Sequence, residues 1–348
     1  MRIELVRTVL LVAALCAAQA SRAHAAGFPW KDYAAKSDDW YRSALGRRVM
    51  ENVLSYQSDR GDWPKNLDTS KVFYDGDRKK LQGTFDNGAT VGEVRFLARA
   101  YRVTNESRDR AAVEKALDHI LAAQYPTGGW PQTSPPGKGY ARYITFNDDT
   151  MVNLLELLRD AARSDDFSFL DASHRAAATR RFDAGIACIL KCQIVVDGRP
   201  TVWCAQHDDV TLEPRGARAF ELVGLSGSES AGILMLLMSL DNPGPEVVRA
   251  VDAGARWFEA SKLTGLRVVS ADGDRKVVAD PKAPPLWARF YEIDTNRPFF
   301  CGRDGVKKER LADIERERRT GYAWYGVWGR KIANRYDAWT KARKGPGS

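Results

Sequence analysis

The sequence predicts an all-α protein, an incomplete α/α toroid of about three helical hairpins with long loops and one small β-hairpin. An internal repeat and a helical apolar pattern carry that prediction. Val53-Leu54-Ser55-Tyr56-Gln57 leads into Gly61-Asp62-Trp63-Pro64, and Ile120-Leu121-Ala122-Ala123-Gln124 leads into Gly128-Gly129-Trp130-Pro131. A third copy, Ile189-Leu190-Lys191-Cys192-Gln193, is followed by Gly198 and, after an insertion, Trp203. The tryptophans stand 67 and 73 residues apart, room for two helices and their connections.

Each copy then opens a second helix behind polar residues. Phe85-Asp86-Asn87-Gly88-Ala89-Thr90 precedes an apolar stretch to Tyr101, and Phe146-Asn147-Asp148-Asp149-Thr150 precedes Met151 to Leu158. Ser226-Gly227-Ser228-Glu229-Ser230 precedes Ile233 to Leu240. Polar capping residues ahead of a 3.6-residue apolar period predict helix starts. Hairpins repeated in this way close around an axis, and their inner helix starts gather at one end.

The remaining elements flank this repeat. Arg2 and Arg7, the apolar run Val9–Ala18 and Ala23-His24-Ala25 predict a secretory leader over 1–25, so 26–348 forms the mature chain, read as one domain. Leu266 to Asp280 alternates around Asp272-Gly273, as a β-hairpin does. Arginine and aromatic residues dominate Trp287 to Arg303, a polar helix follows near Leu311 to Thr320, and a disordered tail is expected over Lys344 to Ser348. Cys188, Cys192, Cys204 and Cys301 remain after the leader; their pairing is not legible, and the absence of a CxxC pair argues against zinc.

The formal charge is +8. The leader carries three arginines and one glutamate, so +6 remains on the mature chain. A basic surface favours a polyanionic partner. Export and the scarcity of Lys/Arg runs favour an acidic polysaccharide over nucleic acid. No stretch after the leader has the apolar length of a membrane helix.

Several residues can carry chemistry. Asp86 and Asp148, with Asp149 beside the second, begin inner helices of adjacent hairpins, where converging carboxylates bind a hard cation, act as an acid and base pair, or simply cap helices. The polar segment Trp203 to Glu221 is a long loop, and such loops are commonly functional. His207 within it is a base, a ligand or a hydrogen-bonded strut. Arg289, Arg297 and Arg303 stand among aromatic residues, able to grip a carboxylate or to pair with Glu292, Asp294 and Asp304.

These phrases, together with Asn296-Arg297-Pro298-Phe299-Phe300, Gly302-Arg303-Asp304-Gly305 and Arg319-Thr320-Gly321-Tyr322-Ala323-Trp324-Tyr325-Gly326, resemble the family 10 pectate lyases over about residues 45–330. The resemblance implies a calcium-dependent enzyme that cleaves polygalacturonate by β-elimination with an arginine base. Carried over by position, Asp86 and Asp148 correspond to the acidic residues of the calcium site, with Asp149 a further contributor. Arg218 corresponds to the base, with Arg215 the competing choice. Arg303 corresponds to a ligand of the substrate carboxylate; Arg289, Arg297, Arg215 and Asn87 are further substrate-binding candidates.

The substrate's chemistry fits that reading. A galacturonate C5 proton lies α to a carboxylate, so its removal gives an enolate-like anion that expels the C4 oxygen. Rival readings are an inverting uronate hydrolase using Asp86 and Asp148 as its carboxylate pair, a terpene cyclase on a similar repeat, and a non-catalytic binder of acidic polysaccharide. The expected protein is an exported monomer in the periplasm or outside the cell.

Overall fold

The computed structural model describes residues 27–344; the expected leader and the last four residues of the tail lie outside them. Helices dominate. α1 spans Trp30–Ala34, α2 Asp38–Arg42, α3 Ala44–Ser55, α4 Val91–Thr104, α5 Ser107–Ala123, α6 Thr150–Arg163, α7 Ala172–Cys192, α8 Gly227–Leu237, α9 Pro245–Ala260, α10 Arg316–Gly321 and α11 Trp328–Lys344.

The repeat has a physical cause. A helix leaves its last carbonyls without partners. The Nε1 of Trp63 donates to the Val53 carbonyl at 2.7 Å, that of Trp130 to Ile120 at 2.8 Å and that of Trp203 to Ile189 at 2.7 Å. The glutamines work alongside. Gln57 Nε2 donates to the carbonyl of Gly61 in its own turn and to that of Ala112 in α5. Gln124 likewise joins Gly128 to Arg181 in α7, and Gln193 joins Thr201 to Ala250 in α9. Each glutamine thus staples one outer helix to the next.

A fourth copy, unforeseen in the sequence, uses the same device. Trp287 Nε1 donates to the Phe258 carbonyl at the end of α9, and α11 is its second helix. The glutamine is missing and the hairpin insert separates Phe258 from Trp287, which hid the copy. The outer helices are therefore α3, α5, α7 and α9 and the largely buried inner ones α4, α6 and α8, while α11, mostly exposed, completes the fourth hairpin. The second helices pack in succession, α4 on α6, α6 on α8 and α8 on α11. Their apolar faces, from Val94 and Leu97 through Leu154 and Leu158 to Ile233 and Ile332, build one continuous core.

The expected hairpin is present as β7 (Leu266–Ala271) paired with β8 (Asp274–Ala279). The other strands went unforeseen. β1 (Ile144–Thr145), β4 (Gln206–His207) and β5 (Pro214–Arg215) form one sheet. β6 (Leu225–Ser226), β10 (Phe290–Tyr291), β11 (Pro298–Cys301) and β12 (Lys307–Lys308) form another, while β2 (Val195–Val196) pairs with β3 (Arg199–Pro200) and β9 (Trp287–Ala288) with β13 (Tyr325–Gly326). An all-α reading thus understates the strands. Most are two residues long and pair distant loops, so they leave no alternation in the sequence to read. The four cysteines among the described residues are buried free thiols, with Cys188 and Cys192 Sγ 4.0 Å apart on one face of α7.

Candidate active site

Long loops lead into α4, α6, α8 and α11, the second helix of each hairpin. Two turns of these loops are near copies. In Asp86-Asn87-Gly88 and Asn147-Asp148-Asp149 the last two residues are left-handed, Asn87 at φ 54°, Gly88 at 72°, Asp148 at 52° and Asp149 at 57°. The equivalences are Asp86 with Asn147 and Asn87 with Asp148, one position off the parallel between Asp86 and Asp148 drawn from sequence. Two successive left-handed aspartates cost strain, of the kind found where function demands a geometry.

The two turns pack against each other, and the second also packs on α8. Neither carboxylate is spent on capping. Asp149, the residue before α6, accepts no capping hydrogen bond, and Asp86 turns to Lys65 and Gln132 instead. Asp86 is buried; its Oδ2 accepts from the Lys65 ammonium and, at 2.7 Å, from Gln132 Nε2, while its Oδ1 has no partner. Asn87 is exposed beside it and donates to Asn66 Oδ1 at 3.2 Å. Asp148 is also exposed, accepting from Asn147 Nδ2 at 2.7 Å.

Arg289 joins this region to the rest of the site. Its guanidinium is buried, pairs with Glu229, and lies 3.1 Å from Asn147 Oδ1 and 3.4 Å from Asp148 Oδ1. It also covers the Tyr322 ring at 4.6 Å. Although burial disfavours its charge, Glu229 and its other acidic neighbours keep its pKa above the usual arginine value. Asp149 reaches solvent but is crowded by protein; that crowding first, then Glu229, Asp148 and Glu156, pushes its carboxyl up to about 7.

From Tyr322 the array continues. Its hydroxyl donates to Glu221 at 2.8 Å, and Glu221 takes a two-pronged pair from Arg218, with Nε at 2.6 Å. The backbone turn from Arg218 to Glu221 makes the pair possible. Burial alone would lower the pKa of Arg218, but the bonds and charge of Glu221 raise it overall. The half-exposed guanidinium lies 4.9 Å from the Phe220 ring, which Arg318 at 4.5 Å and Arg303 at 5.9 Å also approach. Arg303 is exposed and bonded to Glu317 at 3.0 and 3.1 Å.

Two candidates stand apart. Arg215 bonds to Asp208 at 3.1 Å in β5, opposite Gln206. Arg297 is exposed in the turn between β10 and β11, and no described contact joins it to Arg218, Arg289 or the aspartates. His207 is buried and bonded through Nδ1 to the Leu212 carbonyl, with its pKa lowered to about 4 by burial, which makes it a strut. Sequence reasoning did not single out Lys65, Gln132, Glu221, Glu229 or Tyr322 for roles. Gln132, Glu221, Glu229 and Tyr322 stood in the motifs that carry the family resemblance; Lys65 gave no signal.

Residues 57–333 match the pectic acid lyase family. A family 10 polysaccharide lyase from Cellvibrio cellulosa shares 37% identity, with a TM-score of 0.79 over 90% of this chain and 96% of that one. A mutant of a family 10 lyase from the same organism, in complex with trigalacturonic acid, shares 36% identity, with a TM-score of 0.79 over 90% of this chain and 98% of that one. No curated protein matches the chain.

Proposed function

The chain belongs to the pectic acid lyase family and is a lyase of polygalacturonate, and on that premise we propose that it eliminates across C4–C5 with calcium at Asp86 and Asp148 and Arg218 as base. The observation that carries this reading is the packing of the two left-handed turns on each other, with Arg218 tied to them through Glu221, Tyr322 and Arg289. The open ring of helices is proposed with it, as an incomplete α/α toroid of four hairpins.

The donor set suits calcium. A buried carboxylate oxygen without a partner, Oδ1 of Asp86, is a place for a hard cation, and Asp148 brings a second carboxylate in the adjoining turn. No group of three acidic, histidine or cysteine side chains with metal-binding geometry occurs among the described residues. Water and substrate oxygens would therefore complete the shell, as calcium commonly allows. Asp149, crowded and with its pKa raised to about 7, is the weaker ligand. Bound calcium supplies fixed positive charge to the uronate carboxylate, where charge develops as the C5 proton leaves.

The chain's residues do the rest. Arg303, exposed at the rim, takes the uronate carboxylate in its planar fork once Glu317 yields. Asn87 offers an exposed amide to a sugar hydroxyl, and Arg215 and Arg297 extend the basic surface along the chain. Arg218 receives the C5 proton. In the free protein Glu221 holds Arg218 as a cation, so its action as a base requires that pair to loosen and one guanidinium proton to pass to water before the C5 proton is taken. The C4–O bond then breaks, its electron pair leaving on the glycosidic oxygen, which takes a proton from water, and a C4–C5 double bond conjugated with the carboxylate remains in the product.

We further propose that the enzyme is exported and acts as a monomer. The test is absorbance: purified protein with polygalacturonate and calcium should generate ultraviolet-absorbing unsaturated ends, and a chelator should stop them. Reducing ends formed without absorbance would favour hydrolysis and end the elimination reading.

A further inference from the structure

Arg289 holds an unusual place. It was a substrate-binding candidate on sequence, yet its side chain is 7% exposed, with Nη2 facing Asn147, Asp148 and Glu229 and Nε buried without a partner. Its partners come from separate repeats: Asn147 and Asp148 from the second, Glu229 from the first turn of α8 and Tyr322 from the segment before α11. Its backbone is fixed as well. The amide donates to the Trp324 carbonyl at 2.7 Å, and its own carbonyl accepts from Gly227 at 2.8 Å. Glu229 is locked in turn, with Ser226 donating to its carboxylate.

A guanidinium is a flat, rigid fork that lies on a ring face while a nitrogen at its edge donates to acceptors; an ammonium keeps donors but has no flat face to lay on the ring. We infer that Arg289 is a positioning residue that clamps the Asp148 turn to the Tyr322, Glu221 and Arg218 arm and does not touch substrate. This rests on the calcium and base assignments above. The metal-side carboxylate and the base come from loops far apart in sequence, and Arg289 is the shortest described connection between them. The buried Arg289–Glu229 pair also cancels charge that would otherwise draw the Arg289 fork wholly onto Asp148.

The test uses the full protein and two variants. Arg289→Lys keeps the charge beside Glu229 but gives up the fork and the ring face. We expect kcat to fall tenfold or more with the KM for polygalacturonate changed less than twofold, and calcium binding measured by calorimetry without substrate to weaken several-fold. Glu229→Gln leaves the arginine in place and frees it toward Asp148; calcium binding should weaken again, with KM unchanged. This second variant decides the matter should Arg289→Lys not fold, as judged by circular dichroism. A KM raised tenfold with kcat retained in Arg289→Lys would put Arg289 on the substrate and overturn the inference. So would calcium binding and kcat left at the parent values in a folded variant. A parent protein that neither binds calcium nor turns over polygalacturonate would instead overturn the functional reading itself.

Discussion

Arg218 Nε donates to Glu221 Oε2 at 2.6 Å across a single turn of chain, so the proposed base is clamped by its own neighbour. The pair holds Glu221 below the usual carboxylate range despite burial, and Arg218 above the usual arginine value. Neutral arginine is the form that accepts a proton, and Glu221 opposes it. Glu221→Gln should therefore move the alkaline rise of kcat to lower pH, even where the maximum rate drops because the guanidine is less well aimed. An unmoved midpoint in the pH–rate profile would separate the Glu221 charge from the basicity of Arg218.

Arg218→Ala removes the proposed proton acceptor but not the proposed calcium seat or the arginines at the rim. A positioned base contributes on the order of 10²–10⁴ in rate. Turnover by the variant should fall by about that factor, with binding of oligogalacturonate, measured by calorimetry, changed only slightly. Substantial residual turnover would point to Arg215, although Asp208 holds that side chain in β5.

Asp86 is the group with the most at stake in the proposed calcium site, being buried with one oxygen unpartnered. Asp86→Asn keeps the shape and an oxygen for Gln132, and loses the charge that Lys65 and calcium share. Calcium affinity should fall by about tenfold or more, since removing one partner of a buried charged contact costs about 2–5 kcal/mol. Asp149→Asn should cost far less. Calorimetric titration with calcium of both variants and the parent separates the two; equal losses would restore Asp149 as a full ligand.

The sequence showed much of the frame and only part of the site. Gln57, Gln124 and Gln193 with their tryptophans were visible because every copy must close the same helix end. The fourth copy was not, because Trp287 keeps the bond while the glutamine and the spacing are gone. Asp86, Asp148 and Arg218 were read from motifs, but the true equivalence of Asp86 with Asn147 appears only in the backbone, where the left-handed pair falls one residue later. Arg289 and Glu229 are 60 residues apart and meet only through the packing of α8 against the β9–β10 segment, which no local pattern announces.

The glutamine staples also admit a direct test. Gln124→Ala leaves the carbonyls of Gly128 and Arg181 without their shared donor inside the protein. An unsatisfied buried acceptor costs about 1–3 kcal/mol. Urea unfolding should show a loss of that order, with kcat nearly unchanged because the staple lies between outer helices. An unaltered midpoint would mean that water reaches both carbonyls.

Two buried carboxyls give stability a pH dependence of unusual sign. Asp109, in the first turn of α5, has neither oxygen partnered; burial, against the pull of Arg108 and with a push from Glu106, raises its pKa to about 7. Glu93 in α4 is raised to about 8, again by burial first, with hydrogen bonds from Thr69 and the backbone opposing. Their unfolded values are about 3.9 and 4.3. A folded pKa above the unfolded one gives stability that is complete below pH about 4 and drains away as pH rises, until it is gone above about 7 for Asp109 and about 8 for Glu93. Asp109→Asn abolishes one of these titrations. Relative to this variant, the parent should lose stability between pH 4 and 7, by an amount of order a few kcal/mol at about 1.4 kcal/mol per pKa unit. The unfilled hydrogen bonds of the new amide shift the whole comparison by a constant, so the slope is the quantity to read from unfolding curves at several pH values. Parallel curves would mean that Asp109 is charged and solvated in the folded protein. The converging case implies that the protein tolerates a standing loss of stability at the alkaline pH where an arginine base works best.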